Sequence, residues 1–119
     1  MPIIHKRDVR EEQRYPGVRR WELAGKRSGS KSMLMGELVF TPGSSVPVHT
    51  HPNEEAMLVT EGHLEAVLGD QHVIVGPGDL VLALAGDKHG FVNRSGADAR
   101  LMFFHPVLEP SIIMAKEEG

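Results

Sequence analysis

The sequence predicts an all-β fold, a sandwich or barrel of eight or nine short antiparallel strands. Three observations carry this. Short runs rich in Val, Leu, Met and Phe recur from residue 18 onward, Gly, Pro, Asn or Asp separates nearly all of them, and little of the chain reads as helix. The runs fall at residues 18–23, 32–41, 46–51, 56–60, 63–68, 72–75, 80–84, 90–93 and 100–106. Between them stand turn signals such as Thr41-Pro42-Gly43-Ser44, Gly69-Asp70, Gly76-Pro77-Gly78-Asp79 and Gly86-Asp87. A helix finds room only near residues 8–14.

The chain has 119 residues, 40% of them hydrophobic, enough for one core but not two. Residues 18–110 are expected to form that domain, with residues 1–17 as an N-terminal arm and residues 111–119 as a solvated tail. Cys is absent, which removes disulfides, thiolate nucleophiles, iron–sulfur clusters and Cys-type zinc sites. No apolar run approaches the ~20 residues of a membrane span. The opening segment lacks the long apolar core of a secretory signal, so a cytoplasmic protein is expected. The net charge of −3 divides unevenly: residues 1–31 carry +5 and residues 32–119 carry −8. A phosphate-binding arm would interleave its Arg and Lys regularly with aromatics for base stacking, and this one has only Tyr15 and Trp21 among nine basic residues. It reads as a solvated basic arm over an acidic body, with no nucleic-acid partner.

Seven histidines in a chain without Cys are the chemical feature of the sequence. His49 and His51 lie two apart in a strand pattern, so both imidazoles project to one face and can close on a single ion. Glu55 shares their parity beyond the Pro52-Asn53 kink, and Met57 and Val59 continue it as an apolar wall. His89 can return from a distant strand as a fourth ligand. Three imidazoles and a carboxylate suit one divalent transition-metal ion, Fe, Mn, Ni, Cu or Zn, with coordination positions left open.

The spacing resembles the cupin family. Gly43, five residues, His49-Thr50-His51, three residues, Glu55, six residues, Gly62 reproduces the first cupin motif without a gap. Gly78, five residues, Leu84-Ala85-Gly86, two residues, His89, three residues, Asn93 reproduces the second, with Leu84 where the family usually has Pro. That Pro stiffens a turn and binds no metal. The resemblance covers roughly residues 18–106. It implies an antiparallel jelly-roll barrel, a double-stranded β-helix of six to eight strands, with His49, His51, Glu55 and His89 converging on one metal near the wider mouth.

His105 shares parity with Leu101 and Phe103, which makes it a metal-supporting partner or general base if that face looks inward; the strand end before Pro106 offers a solvent-facing alternative. Glu54 has the opposite parity to Glu55 and reads as solvated or supporting. His5, His63 and His72 lie near turns or in the arm and read as surface residues. Met33, Met35, Met57, Met102 and Phe103 read as core, giving an apolar pocket. Lys88 and Arg100 are the candidate anchors for an anionic substrate.

The expected activity is that of a metal-dependent, dioxygenase-like oxidoreductase on a small organic substrate, with Glu55 leaving the metal to take the substrate proton. Two other readings remain open: a non-oxidative isomerase or lyase on a sugar-derived ketoacid, and a non-catalytic small-ligand binder. Sheet edges and apolar outer faces that a small barrel must cover predict a homodimer.

Overall fold

The structure is a computed structural model that describes residues 1–115. The expected tail residues Lys116–Gly119 therefore lie outside the described residues. Among the described residues, 3-10 turns at Lys6–Asp8 and Lys26–Ser28 accompany eleven strands: β1 (Glu12–Tyr15), β2 (Val18–Ala24), β3 (Leu34–Phe40), β4 (Ser45–Thr50), β5 (Glu55–Glu61), β6 (Leu64–Leu68), β7 (Gln71–Val75), β8 (Leu80–Ala83), β9 (His89–Val92), β10 (Ala99–His105) and β11 (Ile113–Met114). They form two sheets of order β1-β2-β3-β10-β5-β8 and β11-β4-β9-β6-β7. The sheets stay separate, a jelly-roll sandwich rather than a closed barrel.

The nine expected strands are present with shifted ends. Two others were not expected, and both come from the chain termini. Residues 8–14 are not a helix: Glu12–Tyr15 is a strand paired with β2, Glu12 opposite Arg20. Tyr15-Pro16-Gly17-Val18 explains this, because Pro sets the turn's first corner and Gly17 takes its left-handed second one (φ 76°). The resulting hairpin turns the start of the chain into a sheet edge. At the other terminus, Ile113 and Met114 pair with Thr50 and His49.

Alternation builds the core. Strand β5 buries Glu55, Met57 and Val59, and β10 buries Ala99, Leu101, Phe103 and His105, while the residues between them are more open. The two inner faces meet through contacts such as Phe40 on Phe91, edge to face at 6.2 Å. Each fully buried Leu or Phe contributes about 1.5–3 kcal/mol. Met33 departs from its expected core role and is exposed, because it precedes β3.

On the outer face of the six-stranded sheet, Trp21 lies under Lys6 and Arg19, whose cationic groups are 4.0 and 4.8 Å from its ring centre. Toward the β8 edge the same face is apolar and uncovered, with Leu80, Leu82 and Phe104 exposed.

Gly36 has a specific task. It sits opposite Phe103 across β3 and β10, where an added Cβ would lie 2.6 Å from the ring and collide with the Trp21 carbonyl. Gly36→Ala is expected to destabilise the fold by about 1–3 kcal/mol or more through overpacking, read as a lower urea midpoint. An unchanged midpoint would mean that the Phe103 ring does not lie against this backbone.

Candidate metal centre

Strands β4, β5 and β9 and the turn after β4 bring four side chains to one end of the sandwich, three from residues 49–55 and His89 from far along the sequence. His49 pairs with His89 across β4 and β9. The register between these strands shifts between Val46 and His49, so inward-facing Val46 is followed by inward-facing His49 despite their opposite parity. Gly90 lets the irregular β4 backbone come close, since a Cβ there would lie 2.8 Å from the Val46 carbonyl. His51 ends the run, and Glu55 opens β5 beyond the Pro52-Asn53 turn. All four side chains are buried, and their ligand atoms lie within 4.8 Å of one another.

Hydrogen bonds fix which nitrogen of each ring is available. His49 Nδ1 donates to the Pro47 carbonyl (2.8 Å), His51 Nδ1 to the Ser111 carbonyl (2.7 Å) and His89 Nδ1 to the Asp87 carbonyl (2.9 Å). A carbonyl only accepts, so each Nδ1 carries a proton and each neutral ring turns an Nε2 lone pair inward. His49 and His51 Nε2 face each other at 3.1 Å, and Glu55 Oε1 lies 3.0 Å from His89 Nε2 and 3.3 Å from His51 Nε2. Four acceptors around one point need a cation between them. Ligand distances of about 2.0–2.2 Å place donors roughly 3–4 Å apart around an ion. The cluster could therefore hold one divalent metal with modest contraction.

His105 belongs to the same cluster in a different tautomer. Its Nδ1 accepts from the Asn53 amide (3.0 Å), which leaves its Nε2–H to donate to Glu55 Oε2 (3.0 Å). The two carboxylate oxygens thus have separate surroundings, Oε1 among the three lone pairs and Oε2 on a donor. His105 is buried and inward, so the strand-end alternative is not what the fold adopts. Asn53 was not singled out in the sequence, where it read as a turn residue.

Burial pushes the Glu55 carboxyl up, but the His105 Nε2–H, joined by His51 and His89 once those rings take a second proton, outweighs it and holds the group well below the usual carboxylate range. Burial lowers His49, against the pull of the Pro47 carbonyl. Burial also opposes protonation of His51, yet the Glu55 and Ser111 hydrogen bonds prevail and raise it.

The cluster forms one end of a cavity with ≈ 720 Å³ of free space, open mouth included. Met57, Phe91, Phe103 and Leu38 give it apolar walls, and Tyr15, Arg14 and Arg20 line it from the β1–β2 hairpin. Lys88 is exposed, and Arg100 is engaged with Glu37 and Glu61, so neither expected anchor lines this cavity. The cavity cations come from the segment that the sequence suggested was a solvated arm. His5, His63 and His72 are exposed, as is Glu54.

The protonation pattern gives a pH prediction. Without metal, His51 holds its proton above its ordinary value, and a metal must displace that proton. Affinity for Zn(II) should therefore fall as pH drops from about 7.5 to 5.5, with more proton release per site at pH 6 than at pH 8.5. Calorimetry in buffers of different ionisation enthalpy measures both. His49→Ala should weaken binding beyond the roughly 10–100-fold cost of losing a supporting partner. Affinity independent of pH and of His49 would place the metal elsewhere.

The comparisons agree with this geometry. The chain is 34% identical over 109 residues to Protein SchB of Streptomyces halstedii, covering 91% of this chain and 79% of that protein. It is 27% identical over 103 residues to the tetracenomycin polyketide synthase protein TcmJ of Streptomyces glaucescens, covering 86% of this chain and 69% of that protein. The structure of the polyketide cyclase RemF from Streptomyces resistomycificus superposes with a TM-score of 0.88 at 27% identity, covering 99% of this chain and 87% of that one. The Cupin domain family (Cupin_2) matches residues 36–105, from β3 to the end of β10. With its two motifs, its jelly-roll sheets and its family match, this chain belongs to the cupin family.

Proposed function

We propose that this cupin is a metal-dependent cyclase acting on a polyketide-like substrate, a flexible chain with carbonyls on alternate carbons. The observation that carries the reading is the acceptor-only cluster at the head of an apolar cavity, in a chain similar to a polyketide synthase protein and a polyketide cyclase. The dioxygenase-like expectation gains no comparable support, because cyclisation requires no oxidant.

The chemistry divides between the two Glu55 oxygens. A divalent ion held by His49, His51, His89 and Glu55 Oε1 would supply Lewis-acid polarisation of a carbonyl oxygen. Apolar walls fold the substrate and exclude water, so that a CH₂ between two carbonyls meets a third carbonyl within the same molecule. Glu55 Oε2 takes the proton from that CH₂, and the carbon then bonds to the third carbonyl carbon. The new alkoxide regains a proton from Glu55 as the hydroxyl of the closed ring, and that hydroxyl then leaves with the remaining hydrogen of the former CH₂ as water, forming a C=C bond. His105 Nε2–H, donating to Oε2, holds the carboxylate in place and shares the charge as the proton arrives.

A small-molecule substrate and a second copy of this chain are the partners of this reading. The uncovered apolar face at the β8 edge supports the homodimer.

The test uses zinc-loaded protein and a synthetic aryl-capped triketone, followed anaerobically by chromatography. Cyclisation faster than in protein-free buffer is expected. Glu55→Gln should slow it by about 10²–10⁴-fold. Light scattering on the same preparation should give the mass of two chains. A loaded site without acceleration would overturn the reading, and stoichiometric oxygen uptake on the same substrate with Fe(II) would replace it with the oxygenase.

A further inference from the structure

Among the described residues, Arg20 is the one strongly basic side chain buried in the cavity wall, at 7% exposure. It points inward because it lies opposite Leu38 in the β2–β3 register, on the face that carries Val18. A buried guanidinium costs several kcal/mol of lost hydration unless its donors are used. Among the described residues, Arg20 makes one side-chain hydrogen bond, from Nη1 to Glu12 Oε2 at 3.2 Å. The fork has five N–H donors. Among the described residues no fully enclosed side-chain nitrogen or oxygen lacks a partner, so the unpaired nitrogens of the fork keep some accessible surface, and the side chain lines the cavity.

The surroundings keep that edge positive. Glu12 also faces Arg27 Nη1 (3.0 Å) and Arg14 Nη2 (3.7 Å), so one carboxylate is shared by three guanidinium groups. Arg14 lines the cavity beside Arg20. The Arg20 guanidinium rests over the Phe103 ring, 5.0 Å from its centre, and the other neighbour of that ring is His105, with centroids 6.0 Å apart. One aromatic ring therefore separates the arginine from the residue that holds Glu55.

We infer that Arg20 is the specificity-determining anchor of the cavity and takes a carboxylate at the end of the polyketide-like substrate remote from the reacting carbonyls. The planar fork pairs with two coplanar oxygens as a point charge cannot, and Phe103 offers a face along which an unsaturated body stacks. Glu12 is the competitor: it occupies one donor in the free protein and yields ground to an incoming carboxylate, while Arg14 and Arg27 keep it neutralised. This inference deepens the cyclase reading and rests on it for the orientation, with the carboxylate at Arg20 and the reacting carbonyls at the cluster.

Binding on chelator-treated protein tests the anchor without a metal that could itself capture a carboxylate. The probes are 2-naphthoate and its methyl ester, titrated by calorimetry or fluorescence at pH 7.5. Wild type should bind the acid at least about 10-fold more tightly than the ester, the scale of a hydrogen-bonded charge pair. Arg20→Met should remove the preference while leaving ester binding in place. Glu12→Gln should tighten the acid several-fold and leave the ester unchanged, a gain that a purely structural Glu12–Arg20 pair does not give. Should Arg20→Met fail to fold by circular dichroism, Arg20→Lys should keep charge and fold yet lose most of the preference. Equal binding of acid and ester by wild type, no binding of either, or a preference that survives in a folded Arg20→Met protein would each overturn the anchor. If Glu55-dependent cyclisation persists in those cases, the anchor alone fails. An acid preference without cyclisation would fail the cyclase reading and leave the anchor intact.

Discussion

The Nδ1–H groups of His49, His51 and His89 are tied to the carbonyl oxygens of Pro47, Ser111 and Asp87, and the rest of the site depends on those three hydrogen bonds. Each bond selects a tautomer, and the shared choice turns three lone pairs onto the spot where Glu55 Oε1 arrives. A ring released from its carbonyl could place a proton at Nε2, become a donor, and satisfy its neighbour without a cation. Two of the clamps are local, each ring reaching back to the carbonyl two residues before it. The third joins His51 to the segment just before β11, so the closing strand of one sheet helps complete the centre.

His105 shows how much one partner changes. It is the same residue type, in contact with the same carboxylate, yet Asn53 on its Nδ1 makes its Nε2 a donor. The result is a carboxylate with one oxygen toward the lone pairs and one toward a proton source. In the proposed reaction, cation capture and proton transfer fall to different atoms of a single residue. At the other side of the cavity the only buried arginine takes the opposite sign, with Phe103 between the two polar ends. Apolar strand faces supply the walls because alternation in β5 and β10 continues Met57 and Phe103 along the lines of Glu55 and His105.

Much of this was legible in the sequence. Two-residue spacing put His49 and His51 on one face, and parity carried Glu55 to the same side, while His89 came through the second motif. The helix allowed near residues 8–14 failed because Pro16-Gly17 closes a hairpin that makes Glu12–Tyr15 a strand. Arg20 was counted by its charge with a solvated arm, although it lies in an expected strand and occupies an inward position of β2. Lys88 and Arg100 were chosen as anchors by proximity in sequence to the motifs, and the sheet places Arg100 outside with Glu37 and Glu61. Ser111 was unreadable for a different reason: it acts through its backbone carbonyl, which every residue possesses. The β4 irregularity between Val46 and His49 is likewise a matter of pairing, settled only when Gly90 lies alongside.

The central claim, that backbone carbonyls set the histidine tautomers and so create a cluster able to hold a metal, has a direct observable. Long-range proton–nitrogen correlation spectra of metal-free protein at pH 8 report which ring nitrogen of each histidine carries hydrogen. The structure predicts Nδ1–H for His49, His51 and His89 and Nε2–H for His105, with the first three Nε2 resonances shifting when Zn(II) is added. Nε2–H tautomers at His49 and His89, or zinc shifts confined to His5, His63 and His72, would contradict it.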